Sequence, residues 1–93
     1  MIELNDAILN LQSSDEASAL FNVLLTPKEI KEITNRWRGC QMAVCGTPQR
    51  AIRDALHISN STVARCARVV REAPLEFDVF VSRLGLPGGH STS

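Results

Sequence analysis

The chain has 93 residues, 44% of them hydrophobic, and its ten basic and ten acidic side chains give a formal net charge of zero. This composition indicates one globular domain and excludes an intrinsically disordered chain, and a neutral total by itself argues against nucleic-acid binding. Because only one tryptophan and three phenylalanines are present, a solitary core has little bulk, and we expect a second copy of the chain to complete it.

Helix signals follow one another along the chain, and no alternating strand pattern interrupts them. We expect a first helix from about Glu3 to Leu11 and a second helix ending at about Leu24. The sequence Thr26-Pro27-Lys28-Glu29 predicts the start of a long third helix, because the threonine can cap it, the proline fits the first helical position and the glutamate completes a capping box. This helix should end at about Cys45, with Gly46 terminating it.

The next segment predicts two short helices joined by a tight turn. Thr47-Pro48 repeats the pattern of a capping threonine and a first-turn proline, which predicts a fourth helix. His57-Ile58-Ser59 is the turn, and Ser59 or Asn60 caps a fifth helix that ends at about Arg71. The inner side of the fourth helix is expected to consist of Ala51, Ile52, Ala55 and Leu56, and that of the fifth of Val63, Ala67 and Val70.

A last helix is expected from Leu75 to Leu84, after Ala73-Pro74. Residues 1–85 then form a single all-α domain of about six helices, and residues 86–93 form a flexible tail.

The fourth helix, the turn and the fifth helix predict a helix-turn-helix over about residues 47–71. In this motif the N-terminal residues of the second helix enter the major groove of DNA. The first residues of the fifth helix are short and polar, so their side chains and amide groups can approach base edges and phosphates. The alternative is a helical hairpin that only packs. The expected DNA-binding residues are Gln49, Arg50, Arg53, Ser59, Asn60, Ser61, Thr62 and Arg65.

The distribution of charge favours the DNA-binding interpretation. Residues 33–71 contain seven arginines and one acid, Asp54, whereas the segments on either side are net negative. The guanidinium group is a planar set of donors that fits phosphate oxygens and guanine edges. In this segment only Arg50 and Arg68 have an acid four residues later, Asp54 and Glu72, so most of its positive charge is available to a nucleic acid.

The cysteines and the remaining polar residues limit the other classes of function. The chain has an odd number of cysteines, namely Cys40, Cys45 and Cys66, and they lack the spacing of a zinc site. We therefore expect three buried free thiols and no metal. The acidic N-terminal residues do not resemble a signal peptide, and no apolar run is long enough to span a membrane. No serine, histidine or cysteine arrangement has catalytic spacing. We therefore expect a cytoplasmic protein that is not an enzyme.

From about Leu24 to Pro74 the chain resembles the bacterial Trp repressor family. The resemblance rests on Leu25-Thr26-Pro27-Lys28-Glu29, Arg36, Gly46, Gln49-Arg50, Ser61-Thr62-Val63-Ala64-Arg65 and Ala73-Pro74. It implies a six-helix fold in which two chains interlace their N-terminal helices into one core. It also implies a transcriptional repressor that binds a palindromic double-stranded DNA operator as a homodimer, with half-sites about one helical turn apart.

The resemblance also implies effector-contacting positions, namely Thr26, Arg36 and Arg65. In the family, tryptophan binds between the long third helix and the recognition helix. This chain departs from the pattern, because Cys66-Ala67 replaces a glycine-serine pair, Val69 replaces a serine, and one residue is missing after Gly46. Three alternatives stay open: L-tryptophan, another small amino-acid-like effector, or no effector. An effector-independent DNA-binding protein, or a protein–protein interaction module that retains the fold, is the alternative function.

Overall fold

A computed structural model describes residues 1–86 of the chain, and in this range it is helical with no strand. Six α-helices follow one another: α1 (Leu4–Leu9), α2 (Ser14–Leu24), α3 (Pro27–Val44), α4 (Gln49–Leu56), α5 (Asn60–Arg71) and α6 (Leu75–Arg83). The all-α class and the six helices predicted from the sequence are confirmed. Of the expected C-terminal tail, residues 87–93 lie outside the described residues.

The chain divides into two compact units, Met1–Ile33 and Thr34–Ser93. In the first unit, Ser13 caps α2 by accepting a hydrogen bond from the Glu16 amide at 3.1 Å. Helix α1 is shorter than predicted, because the Asn10 amide already donates to the Ala7 carbonyl in a tight last turn. Neither α1 nor α2 contains a buried residue. Large apolar side chains of this unit therefore remain exposed, namely Met1, Ile2, Leu4, Ile8, Leu9, Val23, Leu24 and Ile33.

The start of α3 is a capping box, as predicted. The Thr26 hydroxyl accepts from the Glu29 amide at 3.2 Å, and the Glu29 carboxylate accepts from the Thr26 amide at 2.9 Å. Two backbone donors that the helix leaves without internal partners are thus satisfied within four residues.

The end of α3 is closed by Gly46, which has a φ of +83°. The Gly46 amide donates to the Ala43 carbonyl at 3.0 Å, and the Thr47 amide donates to the Met42 carbonyl at 2.9 Å. This is the Schellman arrangement, in which a left-handed residue satisfies the last carbonyls of a helix. Thr47 therefore belongs to the end of α3. The prediction that Thr47 caps the next helix is wrong, because Pro48 occupies the cap position and α4 begins at Gln49.

The core of the second unit lies where α3, α5 and α6 meet. Val44, Val70 and Val81 are buried there, one from each helix. Further apolar side chains pack against them, namely Cys40, Ala43, Phe77 and Leu86. Trp37 of α3 lies beside Phe80 of α6, with ring centroids 6.3 Å apart and tilted planes.

Helices α3 and α5 approach most closely at Gly39 and Cys66. A Cβ atom placed on Gly39 would lie 2.9 Å from the Cys66 Sγ and 3.6 Å from the Cys66 Cβ. The Cys66 thiol is 2% exposed and donates to the Arg36 carbonyl at 3.7 Å. The cysteine side chain therefore occupies the space that the missing side chain of the glycine leaves on α3.

The three cysteines have different environments, and the expectation that all are buried is wrong. Cys66 is buried, Cys40 is half-buried and Cys45, one residue beyond α3, is exposed. Burial raises the pKa of the Cys40 thiol to about 11, and the neighbouring Cys66 thiol adds to this increase. Within residues 1–86, no group of three metal-ligating side chains is found, and no helix is long and apolar enough to cross a membrane.

Candidate nucleic-acid interface

Helices α4 and α5 pack against each other as a helix pair. Ile52 of α4 is 0% exposed and Val63 of α5 is 1% exposed. Ala51 and Ala55, which were predicted to face inward, are exposed. The reason is helical geometry: once Ile52 and the half-buried Leu56 face α5, the residues preceding them are rotated by about 100° towards solvent.

The turn between the two helices depends on His57, whose φ of +54° and ψ of +43° place it in the left-handed region. Its amide donates to the Arg53 carbonyl at 2.8 Å and so closes the last turn of α4. A residue with a Cβ in this conformation costs about 1–2 kcal/mol relative to a right-handed one. The packing of α4 on α5 therefore holds this turn in place against its local preference.

The first turn of α5 is organised by hydroxyl groups. The Ser59 hydroxyl accepts from the Thr62 amide at 3.2 Å, so Ser59 is the N-cap, one of the two residues predicted for this position. The same oxygen lies 2.8 Å from the Thr62 hydroxyl and 3.1 Å from the Ser61 hydroxyl. Because serine and threonine hydroxyls donate and accept, this turn can bind either phosphate oxygens or base edges.

Arg53 connects the two helices through polar contacts. Its Nε donates to the Asp54 carboxylate at 3.1 Å, and its Nη1 donates to the Asn60 side-chain oxygen at 3.3 Å. The Arg53 Nη2 also lies 3.1 Å from the same Asp54 oxygen. Asp54 therefore pairs with Arg53, and not with Arg50 as the i, i+4 spacing had indicated.

The predicted DNA-binding residues are accessible to different degrees. Arg53 and Thr62 are half-buried, and the other six are exposed. Hydrogen bonds bring together Arg53 and Asn60, and separately the three hydroxyl residues of the first turn of α5. Among the described residues, no hydrogen bond or ion pair joins Gln49, Arg50 or Arg65 to this cluster. Gln49 and Arg50 lie in the first turn of α4, and Arg65 lies one turn further along α5.

The sequence prediction missed two contacts in this region. The burial of Cys66 was expected, and its positions three after Val63 and four before Val70 place it on their helix face, but its contact with Gly39 of α3 was not predicted. Asp54 was recognised as the single acid of its segment, but its contact with Arg53 was not predicted. Adjacent residues of a helix do not face each other, so no local spacing rule identifies this pair.

The formal positive charge of the second unit comes from arginine. The chain has no lysine after Lys31, so the formal positive charges in this part of the chain are all on arginines. Among the described residues of this unit, seven of the eight arginines are exposed and Arg53 is half-buried. Arg53 with Asp54 is the one ion pair within 4.0 Å found in residues 1–86. Positive charge is thus available over the surface of the helix pair.

The comparison with known families agrees with this geometry. The family model described as Trp repressor protein matches residues 1–85 of the chain. The chain belongs to the Trp repressor family. This is a family of DNA-binding transcription regulators. No curated protein and no solved structure matches the chain.

Some residues around the effector-contacting positions of the Trp repressor family differ in this chain. Arg36 and Arg65 are exposed and available to a carboxylate. However, Cys66 is buried against Gly39 and its thiol contacts the Arg36 carbonyl, so a side chain fills the place where α3 approaches α5. Val69, where the family has a serine, offers no hydrogen bond. A planar indole that passes close to the backbone of α5 does not fit these residues.

Thr26, the third of these positions, lies in the first unit. Its hydroxyl accepts the Glu29 amide in the capping box of α3. A cavity of about 550 Å³ in the second unit is lined by Cys40, Val69, Val70, Glu72, Ala73, Pro74 and Phe77. It includes neither Arg36 nor Arg65, so the two arginines do not face this apolar space.

Proposed function

We propose that this protein is a transcriptional repressor that binds a palindromic operator as a homodimer in the bacterial cytoplasm. In this proposal α5 enters the major groove, and α4 lies across the phosphate backbone. The residues that contact DNA are those predicted from the sequence: Gln49, Arg50, Arg53, Ser59, Asn60, Ser61, Thr62 and Arg65.

The observation that carries this proposal is the exposed polar turn at the start of α5. Ser59, Asn60 and Ser61 are exposed at the start of α5, a helix that is anchored by the buried Val63 and Cys66. A rigid helix with small polar side chains at its N-terminus is suited to approach base edges closely. Arginine side chains on both helices supply the contacts with phosphates.

Exposed apolar side chains support the homodimer. In the first unit α1 and α2 contain no fully buried residue, and in the second unit Trp37 is 37% and Phe80 42% exposed. Isolated apolar residues on a surface are ordinary, but whole amphipathic helices without a buried residue need a partner surface. Two copies that share these faces would complete the thin core inferred from the composition.

We further propose that the protein acts without tryptophan. The support is the filled contact between Gly39 and Cys66 and the valine at position 69. Calorimetric titration of the protein with L-tryptophan should give no heat beyond dilution, and operator affinity should be equal with and without the amino acid. Saturable heat, or tighter operator binding in its presence, would contradict effector-independent action.

The first experiment measures binding to duplex DNA over a range of salt concentrations. Affinity should fall by about 0.9 log units per log unit of salt for each phosphate contacted. Selection from a random duplex pool should return a palindrome with half-site centres about 10–10.5 base pairs apart. If binding is insensitive to salt or absent, the DNA-binding function is wrong, and the interaction-module alternative takes its place. A single half-site motif would instead contradict the dimeric repressor.

A pair of arginine variants tests the surface itself. Arg50→Ala should weaken operator binding by about 1–3 kcal/mol if this arginine contacts a guanine. Arg83→Ala removes the same charge from the last turn of α6, outside the proposed interface, and should leave operator preference unchanged. Equal effects of the two substitutions would mean that net charge alone, and not the position of Arg50, controls binding.

A further inference from the structure

The contact of Arg53 with Asp54 and Asn60 crosses the turn of the helix-turn-helix. Arg53 is in α4 and Asn60 is the first residue of α5. The guanidinium makes two contacts with one oxygen of Asp54 and one contact with Asn60, at distances from 3.1 to 3.3 Å. One side chain is therefore held from both helices at the place where the proposed DNA surface begins.

This arrangement has no evident role in stabilising the fold. The side chains of Arg53 and Asp54 are 40% and 64% exposed, and ion pairs with such exposure contribute little to stability, because water and salt screen them. A lone carboxylate on a surface that faces phosphates is also electrostatically unfavourable for DNA binding. The presence of Asp54 therefore requires a different explanation.

We propose that Asp54 is a positioning residue that determines DNA specificity through Arg53. An arginine without a partner neutralises any phosphate, and such contacts supply most of the affinity for arbitrary DNA. The Asp54 carboxylate competes with phosphate oxygens for the Arg53 guanidinium, so Arg53 does not make these contacts. Together with Asn60, it keeps the guanidinium in one orientation, in which it engages only when the start of α5 is seated on its operator. This inference rests on the proposed DNA-binding function.

The electrostatic consequence differs between the two kinds of complex. On random DNA, removal of the carboxylate charge frees Arg53 for one additional phosphate, so the slope of log affinity against log salt should steepen by about 0.9. On the operator, Arg53 is already engaged, so its affinity should change less. The ratio of operator to random affinity should consequently fall, by roughly 3–10-fold at moderate salt for one contact.

The experiment uses the full chain and two fluorescent duplexes, the selected operator and a random sequence of equal length, over a salt series. Asp54→Asn removes the charge and keeps the size of the side chain. Glu72→Gln is the matched control, because it removes one charge from the exposed C-cap of α5, away from the Arg53 contact. Arg53→Ala, alone and combined with Asp54→Asn, tests whether Asp54 acts through the arginine. Thermal melting of every variant establishes that the fold is retained.

The expected result is tighter random-duplex binding with a steeper salt slope for Asp54→Asn, no such change for Glu72→Gln, and no effect of Asp54→Asn when Arg53 is already alanine. The proposal is overturned if Glu72→Gln has an equal effect, since net charge alone then explains it. It is also overturned if the effect persists without Arg53, because Asp54 then repels DNA directly. If the wild-type protein binds DNA with a normal salt slope but Asp54→Asn changes nothing, only this inference fails. A wild-type protein that binds no duplex overturns the proposed function as well.

Discussion

Substitution of Gly39 by alanine tests how α3 and α5 are packed. The added Cβ would lie 2.9 Å from the Cys66 Sγ, well inside the 3.4–4 Å of an ordinary contact. The thiol cannot easily move away, because Cys66 is 2% exposed and its Sγ already contacts the Arg36 carbonyl. The substitution should therefore force α3 and α5 apart.

Two opposing effects determine the size of this change. Insertion of a methyl group into a packed contact costs about 1–3 kcal/mol. Replacement of glycine by alanine inside a helix returns about 0.8–1 kcal/mol. Gly39→Ala should consequently lower the free energy of unfolding by about 0–2 kcal/mol. Cys66→Ala alone should cost about 1 kcal/mol, for the loss of one buried heavy atom and its contacts.

The double variant gives the sharper test. With Cys66→Ala in place, the alanine at position 39 occupies the space of the missing sulfur, so the two substitutions should be nearly neutral together. The coupling energy should be about 1–3 kcal/mol in magnitude, within the range measured for residues in contact. Urea unfolding followed by circular dichroism, at one fixed protein concentration, measures it.

A control uses Cys45→Ala, because Cys45 is an exposed thiol beyond the end of α3. Gly39→Ala and Cys45→Ala should be additive within about 0.5 kcal/mol, as expected for sites without shared contacts. The reasoning is refuted if Gly39→Ala stabilises the protein, or if its cost is the same whether position 66 is cysteine or alanine.

Three further predictions concern local structure. His57→Gly should raise stability by about 0.5–1 kcal/mol, because glycine adopts the left-handed conformation without strain but is more flexible when unfolded; urea unfolding measures this. Ser59→Ala should lower stability by about 1 kcal/mol through loss of the N-cap, whereas Ser59→Asn, which retains a capping oxygen, should change it little in the same assay. At pH 8, an alkylating reagent should label Cys45 rapidly and Cys40 slowly in mass spectra, since the thiol of Cys40, whose pKa is about 11, is protonated at that pH.

A specific result would contradict each of these predictions. His57→Ala keeps the Cβ and should not stabilise the protein, so equal gains for alanine and glycine would remove backbone strain as the cause. Equal stability of the alanine and asparagine variants at Ser59 would mean that the cap contributes nothing. Equal labelling of Cys40 and Cys45 at pH 8 would exclude the buried environment described for Cys40.

The titration of Cys40 also predicts how stability depends on pH. The pKa of this thiol is raised from its ordinary value of 9.0 to about 11 in the folded chain, so the folded state holds the proton more strongly than the unfolded state. The resulting contribution to stability is complete below pH 9 and is lost as the pH rises through 11. Cys40→Ala should remove this alkaline component of the stability profile, and an unchanged profile would contradict it.

Much of the fold could be predicted from the sequence because its determinants are local. The capping box at Thr26 and Glu29 and the cap at Ser59 involve residues three apart, so the sequence contains all the information needed. The start of α4 could not be predicted in this way. Its position depends on Thr47, whose amide is already used to close α3, and that closure is a property of the preceding helix.

The site was harder to predict than the fold, because its decisive contacts join separate helices. Asp54 has an arginine at a helical spacing in Arg50, yet it pairs with Arg53, whose guanidinium also contacts Asn60 across the turn. The contact of Gly39 with Cys66 joins residues far apart in the sequence. Composition and periodicity describe one helix at a time, so they give no information about which side chains meet when two helices pack.

The use of arginine alone in the second unit has a consequence for regulation. Arginine keeps its charge throughout the physiological pH range, and lysine acetylation cannot act on a segment that has no lysine after Lys31. Lysine acetylation in the cell would therefore leave the arginine charge of this surface unaltered. Under the proposed function, occupancy of DNA would then respond to the amount of protein and to the ionic strength.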